Sequence, residues 1–344
     1  MKTPAQKLTD WAINKIETEY PNDICLLIGH NTLNLDKDIN DAPFGFYIPA
    51  THRANGLART FIIGGIGHDL FPMSWDTIET MADMKHYNST CLHDGQILWA
   101  RNDADRQRFT ALQARQTANL HNPQYMLARA QKWLNTAKEV FADTLFEERL
   151  SKIRENAGHI CDLLAIAVAF ANQHYFKHGQ KDQLTELTEM KQRPTDFIQL
   201  YTHIIHQSNR DTQKRLCHQL IANTQSFLQC LNPSNVPQTT PDFTELANWY
   251  QELSYTWRRV YHWCDANDPI NAYLWCCFLQ NEVEEWGSKF NIQIRGILDA
   301  FDANNLLAFR QRAQQVETAF TQAIAANQVI LDTYPTIDDF LSSN

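Results

Sequence analysis

Four aspartates in the first part of this chain could bind a metal ion together. Asp36, Asp38 and Asp41 lie in a polar stretch, and Asp69 lies between apolar residues of a β-prone segment. Carboxylate oxygens are the ligands that Mg²⁺ prefers, and Mg²⁺ can carry the phosphates of a nucleotide. The alternatives are structural. Asp69 would bond a turn amide at a strand end, and the other three would cap turns of a solvated loop.

The sequence supports a more specific prediction for Asp69 than for the three aspartates of the polar stretch. A bare carboxylate inside an apolar strand costs several kcal/mol, so the side chain should have a partner. We therefore expect Asp69 to face a cleft between two domains and not solvent.

A second feature is Gly29-His30, which directly follows the apolar residues 24–28. A glycine at the end of a buried strand lets backbone amides approach a phosphate closely. The simpler alternative is an ordinary turn.

The third feature is residues 146–154, FEERLSKIR. Glu148 and Lys152 are four residues apart, so a helix through this segment would place both on one face. Such a face could present a general base and a phosphate-binding lysine. The alternative is an exposed i,i+4 ion pair.

The elements that would position these residues fall into two regions. Before Asn122 the sequence predicts a helix over 5–19, apolar strands over 24–28 and 44–48, an edge strand over 97–100, and a hairpin over 60–73 with a tight turn at Gly64-Gly65. After Asn122 helical periodicity replaces the strand patterns, over 123–178, 194–208, 210–231, 242–265, 270–300 and 304–332. The fold class predicted is α+β, with a small mixed-sheet domain over residues 1–121 and an all-helical domain over 122–344.

Composition excludes several classes of protein. The 344 residues are 44% hydrophobic and 20% charged, which is typical of a globular protein. A formal charge of −9 argues against general binding to nucleic acid or to an anionic membrane. No apolar run is long enough to span a membrane, and the N-terminus lacks a signal-peptide core. The eight cysteines have no C-x-x-C spacing. We expect a cytoplasmic protein with reduced thiols.

The order of elements over roughly residues 5–180 resembles the kanamycin nucleotidyltransferase type of nucleotidyltransferase. In that family a Gly-Ser follows the first strand, an acid-x-acid pair opens the second, and a later strand carries a third acid. Asp69 matches the third acid, and residues 145–154 are similar to the family's E-x-x-x-K-x-R segment. The chain departs from the pattern in two places. His30 replaces the serine, and residues 43–47, PFGFY, contain no acid.

The resemblance implies transfer of a nucleoside monophosphate from an NTP, with ATP expected, to a hydroxyl of a small molecule such as an aminoglycoside. Asp69 would hold Mg²⁺ together with Asp41 or, alternatively, Asp38, and Glu148 would activate the hydroxyl. The Gly29-His30 backbone and Lys152 would hold the triphosphate. The alternative is a catalytically degenerate protein of the same fold, acting as a nucleotide-binding or protein-interaction module. Whether the chain is an enzyme, and whether it forms a homodimer, stay open at this point.

Overall fold

The computed structural model describes residues 4–29, 45–87, 89–177, 182–231 and 241–343. The chain divides into two compact units, Met1–Ser234 and Asn235–Asn344. The predicted domains, 1–121 and 122–344, follow the change from strands to helices, and this change lies inside the first unit. The predicted domain division stays a prediction.

A five-stranded mixed sheet begins the first unit. Its strands are β1 (Ile24–Gly29), β2 (Phe46–Pro49), β3 (Arg59–Ile63), β4 (Ile66–Pro72) and β5 (Gln96–Ala100). Their order in the sheet is β3-β4-β2-β1-β5. β1 is antiparallel to β2 and β5, β3 is antiparallel to β4, and β2 is parallel to β4. The predicted small mixed sheet is confirmed.

The turn between β3 and β4 explains why the hairpin could be predicted. Gly64 and Gly65 have φ angles of 58° and 84°. Two consecutive residues with positive φ are what a tight type I′ turn requires, and glycine adopts them without steric cost. The strands then pair in register from Ile63 opposite Ile66 to Arg59 opposite Leu70.

Helices cover both faces of the sheet. Helix α1 (Pro4–Glu19) packs on one face, where its Ala12 and Ile16 meet Leu27, Tyr47 and Leu70. The other face is covered by α2 (Trp75–Ala82), α3 (Thr90–His93) and α4 (Asp103–Leu120). All six residues of β1 are buried, which accounts for its wholly apolar sequence.

Five helices complete the first unit: α5 (Pro123–Phe146), α6 (Leu150–Ala171), α7 (Gln183–Glu189), α8 (Phe197–His206) and α9 (Arg210–Leu231). α5 begins where the sequence predicts, because the Asn122 side chain accepts a hydrogen bond from the Tyr125 amide at 3.0 Å and Pro123 occupies the first turn. The helical stretch predicted over 123–178 is interrupted at residues 147–149. α5 and α6 therefore form an antiparallel hairpin.

The second unit contains α10 (Phe243–Asp265), α11 (Pro269–Lys289), α12 (Leu306–Ala326) and α13 (Ile337–Ser343). Its core joins Trp257, Leu279 and Phe320 from the three long helices. Between α10 and α12 the Glu317 carboxylate accepts hydrogen bonds from Tyr250 and Tyr261, at 2.9 and 2.6 Å, and pairs with Arg258. Beyond Ala100 the described residues form no strand, as predicted. None of the described helices is long and apolar enough to cross a membrane.

Candidate functional site

Gly29 and Asp69 lie toward the same end of the sheet. β1 finishes at Gly29, and the antiparallel β2 starts beside it, with Phe46 opposite Ile28. In β4, which is parallel to β2, Phe71 is opposite Phe46. Asp69 comes two residues before Phe71, so it lies about 7 Å outside the level of Phe46, on the side away from the rest of β2. We call this end of the sheet, where β1 finishes and β2 and β5 begin, the Gly29 end.

His30 and Asp41 lie outside the described residues, and so do Asp36 and Asp38. Their proposed roles therefore depend on the sequence alone. Gly29 itself is buried in the sheet, paired with Gln96 of β5.

Asp69 is exposed to solvent. Its neighbours His68 and Leu70 point to the opposite face of β4 and are buried. Asp69 shares the face of Phe71, which is the side covered by α2–α4. The described residues give its carboxylate no hydrogen bond or ion pair. The prediction that Asp69 avoids solvent is wrong. Asp69 precedes Phe71 and Pro72, the residues of β4 that pair with β2, so it lies outside the central part of the sheet and water solvates its charge.

The described residues alone do not fit a Mg²⁺ ion. Within the described ranges no three His, Cys, Asp or Glu side chains come together in a group that could hold a metal. The first residues of β2, from Phe46 to Ile48, include no acid, so the acid-x-acid pair of the family is absent there. All three residues are fully buried. Asp69 contributes one carboxylate.

Glu148 and Lys152 do not lie on one helical face, so that prediction is wrong. α5 ends at Phe146 and α6 begins at Leu150, which places Glu148 in the connection between them. Glu148 is exposed and pairs with Arg210 of α9 at 2.5 Å. Lys152 pairs instead with Glu155 at 2.6 Å.

Hydrogen bonds hold the connection between α5 and α6 in place, and the helical periodicity of the sequence gives no sign of them. A Glu147 carboxylate oxygen accepts the amides of Glu148 and Arg149, at 2.9 and 2.8 Å. The Arg149 guanidinium also donates to Glu147, and these bonds lower the pKa of Glu147 to about 2. From α9, Lys214 donates to the carbonyls of Leu145 and Glu147, at 3.0 and 2.8 Å, and so closes the end of α5.

This connection lies far from the Gly29 end. α6 has 22 residues. At 1.5 Å per residue they span about 33 Å. The opposite end of the hairpin faces the sheet region, since Tyr125 donates to the Asp83 carbonyl at 2.8 Å and Thr90 donates to the Phe176 carbonyl at 2.9 Å. Within one chain the structure does not bring Glu148 and Lys152 to Gly29 and Asp69.

A different polar cluster lies at the Gly29 end, formed by His93, Asp94 and Tyr175. The Tyr175 hydroxyl is 2.6 Å from Nδ1 of His93 and 3.1 and 3.2 Å from the two Asp94 carboxylate oxygens. Tyr175 follows α6, so it joins the helical hairpin to the sheet region. Sequence reasoning missed the cluster, because nothing local links Tyr175 to a histidine 82 residues away.

The backbone places this cluster next to β1. Gln96, two residues after Asp94, pairs with Gly29. Between them Gly95 packs so closely that a Cβ atom would lie 2.5 Å from the Cys91 carbonyl and 3.2 Å from Ile28. Only glycine fits there. Ile28 belongs to the face covered by α2–α4, so the cluster and Asp69 lie on the same side of the sheet.

Comparison with known proteins supports the resemblance seen in the sequence. Residues 142–232 match the family model of the KNTase C-terminal domain. No curated protein matches the chain. Among solved structures, a nucleotidyltransferase-like protein from Exiguobacterium sibiricum is 12% identical, over 64% of this chain and 74% of that one, with a TM-score of 0.36. The family-model match confirms the similarity to kanamycin nucleotidyltransferases, and it covers the α5–α6 connection through the end of α9.

Proposed function

We propose that this chain is a nucleotidyltransferase that moves a nucleoside monophosphate from an NTP to a hydroxyl of a small molecule. The observation that carries the proposal is the position of Gly29 and Asp69 at one end of a mixed sheet, in a chain whose helical region matches the KNTase C-terminal domain. The backbone at Gly29, with His30, would approach the triphosphate. ATP is the expected nucleotide, and an aminoglycoside-like molecule is the expected acceptor.

Mg²⁺ belongs to this proposal as an NTP-bound ion that offsets phosphate charge. Asp69 is exposed and available as one ligand, and Asp41 would supply a second. Since the described residues alone form no metal site, Mg²⁺ dependence is a property to be measured.

Glu148 and Lys152 keep their proposed roles only if a second copy of the chain supplies them. Within one chain they lie about 30 Å from the end of α6 that faces the sheet. A homodimer in which each copy completes the other's site would reconcile the family pattern with this geometry. Oligomeric state is therefore part of the proposal.

The cytoplasm is the proposed location. All eight cysteines are free, and five of them are buried. Free thiols persist in reducing compartments. Burial raises the pKa of Cys217 to about 12, so this thiol stays protonated and inert.

A titration of the full chain with ATP and with GTP, each with and without Mg²⁺, tests the binding half of the proposal by calorimetry. Transfer is then measured with α-phosphate-labelled ATP and kanamycin as the hydroxyl acceptor, by counting label on the aminoglycoside. We expect Mg²⁺-dependent binding of at least one nucleotide and transfer of label. Absence of binding by both nucleotides would contradict the proposal.

One observation favours the second candidate, a degenerate module without catalysis. The start of β2, where the family carries acids, is apolar. Phe46 is buried there against Phe71, with ring centres 6.3 Å apart, and the Gly45 amide donates to the Ile28 carbonyl at 2.8 Å. Nucleotide binding without transfer of label to any of several aminoglycosides would favour this module.

A further inference from the structure

Helix α11 of the second unit has an apolar side chain row on the face that looks away from its core. The residues that α11 contributes to the core recur at helical spacing, and they are Ala272, Cys276, Leu279 and Val283. On the opposite face Ile270, Leu274 and Phe278 are 70%, 53% and 68% exposed. Side chains four residues apart lie one above the other along a helix, so these three form one exposed row.

This row belongs to a stretch of sequence without charge. Residues 269–281, PINAYLWCCFLQN, contain no Asp, Glu, Lys or Arg. The charged residues of α11 all come later, and they are Glu282, Glu284, Glu285 and Lys289. The solvent face of a helix usually carries charged and polar side chains. An exposed face with large apolar side chains and no charge is typical of a surface that another protein covers.

Aromatic rings beside the row are held by their neighbours. Cζ of Arg259, on α10, lies 4.1 Å from the ring centres of both Tyr255 and Trp275. The ring centres of Trp275 and Phe278 are 6.1 Å apart. Rings that are ordered before association lose little conformational freedom on binding. We call the exposed apolar residues of this region the α11 patch, and they are Tyr255, Ile270, Tyr273, Leu274 and Phe278.

The α11 patch is large enough to be the centre of a protein interface. An aromatic side chain can bury about 150–250 Å², so the exposed fractions of the five residues amount to roughly 600 Å². A stable interface buries about 800 Å² on each partner, with an apolar centre and a polar rim. The patch thus provides the apolar centre, and polar residues around it would provide the rim.

We infer that the α11 patch binds the α11 patch of a second copy of this chain. Each copy has a formal charge of −9, so charged surfaces of two copies repel each other on average. An uncharged face can be covered by its own equivalent without burying an unpaired charge. A twofold axis requires a self-complementary surface, and a row centred on Leu274 meets this requirement.

The two α11 helices would pack antiparallel, with Leu274 at the twofold axis. Ile270 and Phe278 are each four residues from Leu274, so each would face the other residue type in the partner and the smaller side chain would oppose the larger. A parallel pair would bring Glu284 and Glu285 beside the same acids of the second copy, whereas an antiparallel pair separates them. Antiparallel packing also opposes the two helix dipoles.

Such a dimer is independent of the proposed function. It requires neither a nucleotide nor transfer of a phosphate group. The α11 patch also lies outside residues 142–232, which match the family model.

Sedimentation velocity of the full chain, over a range of protein concentrations, tests the association. We expect the wild-type chain to dimerise and Leu274→Glu to raise the Kd of the dimer by about 10²-fold or more, because two like charges would meet at the axis. Leu274 is exposed, so the Tm of the variant should stay near that of the wild-type chain. Leu307→Glu is the matched control, since Leu307 is 66% exposed on α12 and does not belong to the patch.

Mixing experiments test whether the patch binds itself. Leu274→Lys should also be monomeric alone, but an equimolar mixture of Leu274→Lys and Leu274→Glu should dimerise, because lysine in one copy would face glutamate in the other. A mixture of Ile270→Lys and Phe278→Glu should dimerise in the same way, since antiparallel packing brings these two positions together.

The outcomes separate this inference from the proposed function. A dimer that Leu274→Glu leaves intact would overturn the inference alone, because the interface would then lie elsewhere. If both Leu274 variants are monomeric and their mixture stays monomeric, the patch does not bind itself and the inference is overturned. A monomeric wild-type chain would overturn the inference together with the role of Glu148 in a second copy. Nucleotide binding and transfer of label are measured separately from all of these.

Discussion

Arg210 and Glu148 form an ion pair at 2.5 Å where α5 ends and α9 begins. Both side chains are largely exposed, 48% and 76% respectively. The pair holds Glu148 against α9, at the end of the α5–α6 hairpin that lies away from the sheet. Within one chain this makes Glu148 a surface residue.

Glu148→Gln should therefore change little. An exposed ion pair contributes about 0–1 kcal/mol, so we expect urea unfolding to show a loss below about 1 kcal/mol. Nucleotide affinity measured by calorimetry should be unchanged. Glu79→Gln is the matched control, since Glu79 pairs with Arg108 at 2.9 Å and Arg108 is as exposed as Arg210, at 48%. A strong loss of turnover in Glu148→Gln alone would show that this residue acts in the site of another copy.

Glu147 should make stability depend on pH. Hydrogen bonds from Arg149 lower its folded-state pKa from 4.5 to about 2. The ionised side chain therefore stabilises the folded chain above pH 4.5, and this contribution is lost as the pH falls toward 2. Urea unfolding should show a deficit for Glu147→Gln near neutral pH that shrinks in acid. Arg149→Gln should reduce the same pH dependence, and a deficit that is constant with pH would contradict the assignment.

The features predicted correctly from sequence are those set by local interactions. Gly64-Gly65 determines its own turn, and Asn122-Pro123 determines the start of α5. The wholly apolar β1 is short and ends at a glycine, which is typical of a buried strand. In each case the residues that fix the structure are neighbours in the chain, so their types and spacing were enough.

The features missed depend on contacts between distant residues. The break at 147–149 falls within good helical periodicity, and it is held partly by Lys214, which is 67 residues from Glu147. Asp69 was expected to avoid solvent because its neighbours are apolar, yet its exposure depends on how far along β4 the pairing with β2 extends. Tyr175 meets His93 only because α6 ends beside α3.

A buried hydrogen bond should stabilise the α5–α6 hairpin. The Asn156 amide donates to the Thr144 hydroxyl at 3.0 Å, and that hydroxyl donates to the Val140 carbonyl at 2.6 Å. Thr144→Val keeps the shape and removes the acceptor, which should cost about 1–3 kcal/mol in urea unfolding.

Thr136→Val is the control for this change. Thr136 also lies on α5 and donates to a carbonyl four residues earlier, but it is exposed. We expect a loss below about 0.5 kcal/mol there. Equal losses for the two variants would show that the cost comes from valine in the helix and not from the unsatisfied Asn156 amide.

Asp69→Asn gives the most direct test of the Gly29 end as a nucleotide site. Because the carboxylate is exposed and has no partner among the described residues, the substitution should leave the Tm nearly unchanged. If Asp69 holds Mg²⁺ with Asp41, the variant should lose the Mg²⁺-dependent part of its ATP affinity, measured by calorimetry with and without the ion. Asp143→Asn, an exposed change of equal charge on α5, should bind ATP as the wild-type chain does. A large drop in Tm would mark Asp69 as structural, and equal affinity in both variants would remove it from the nucleotide site.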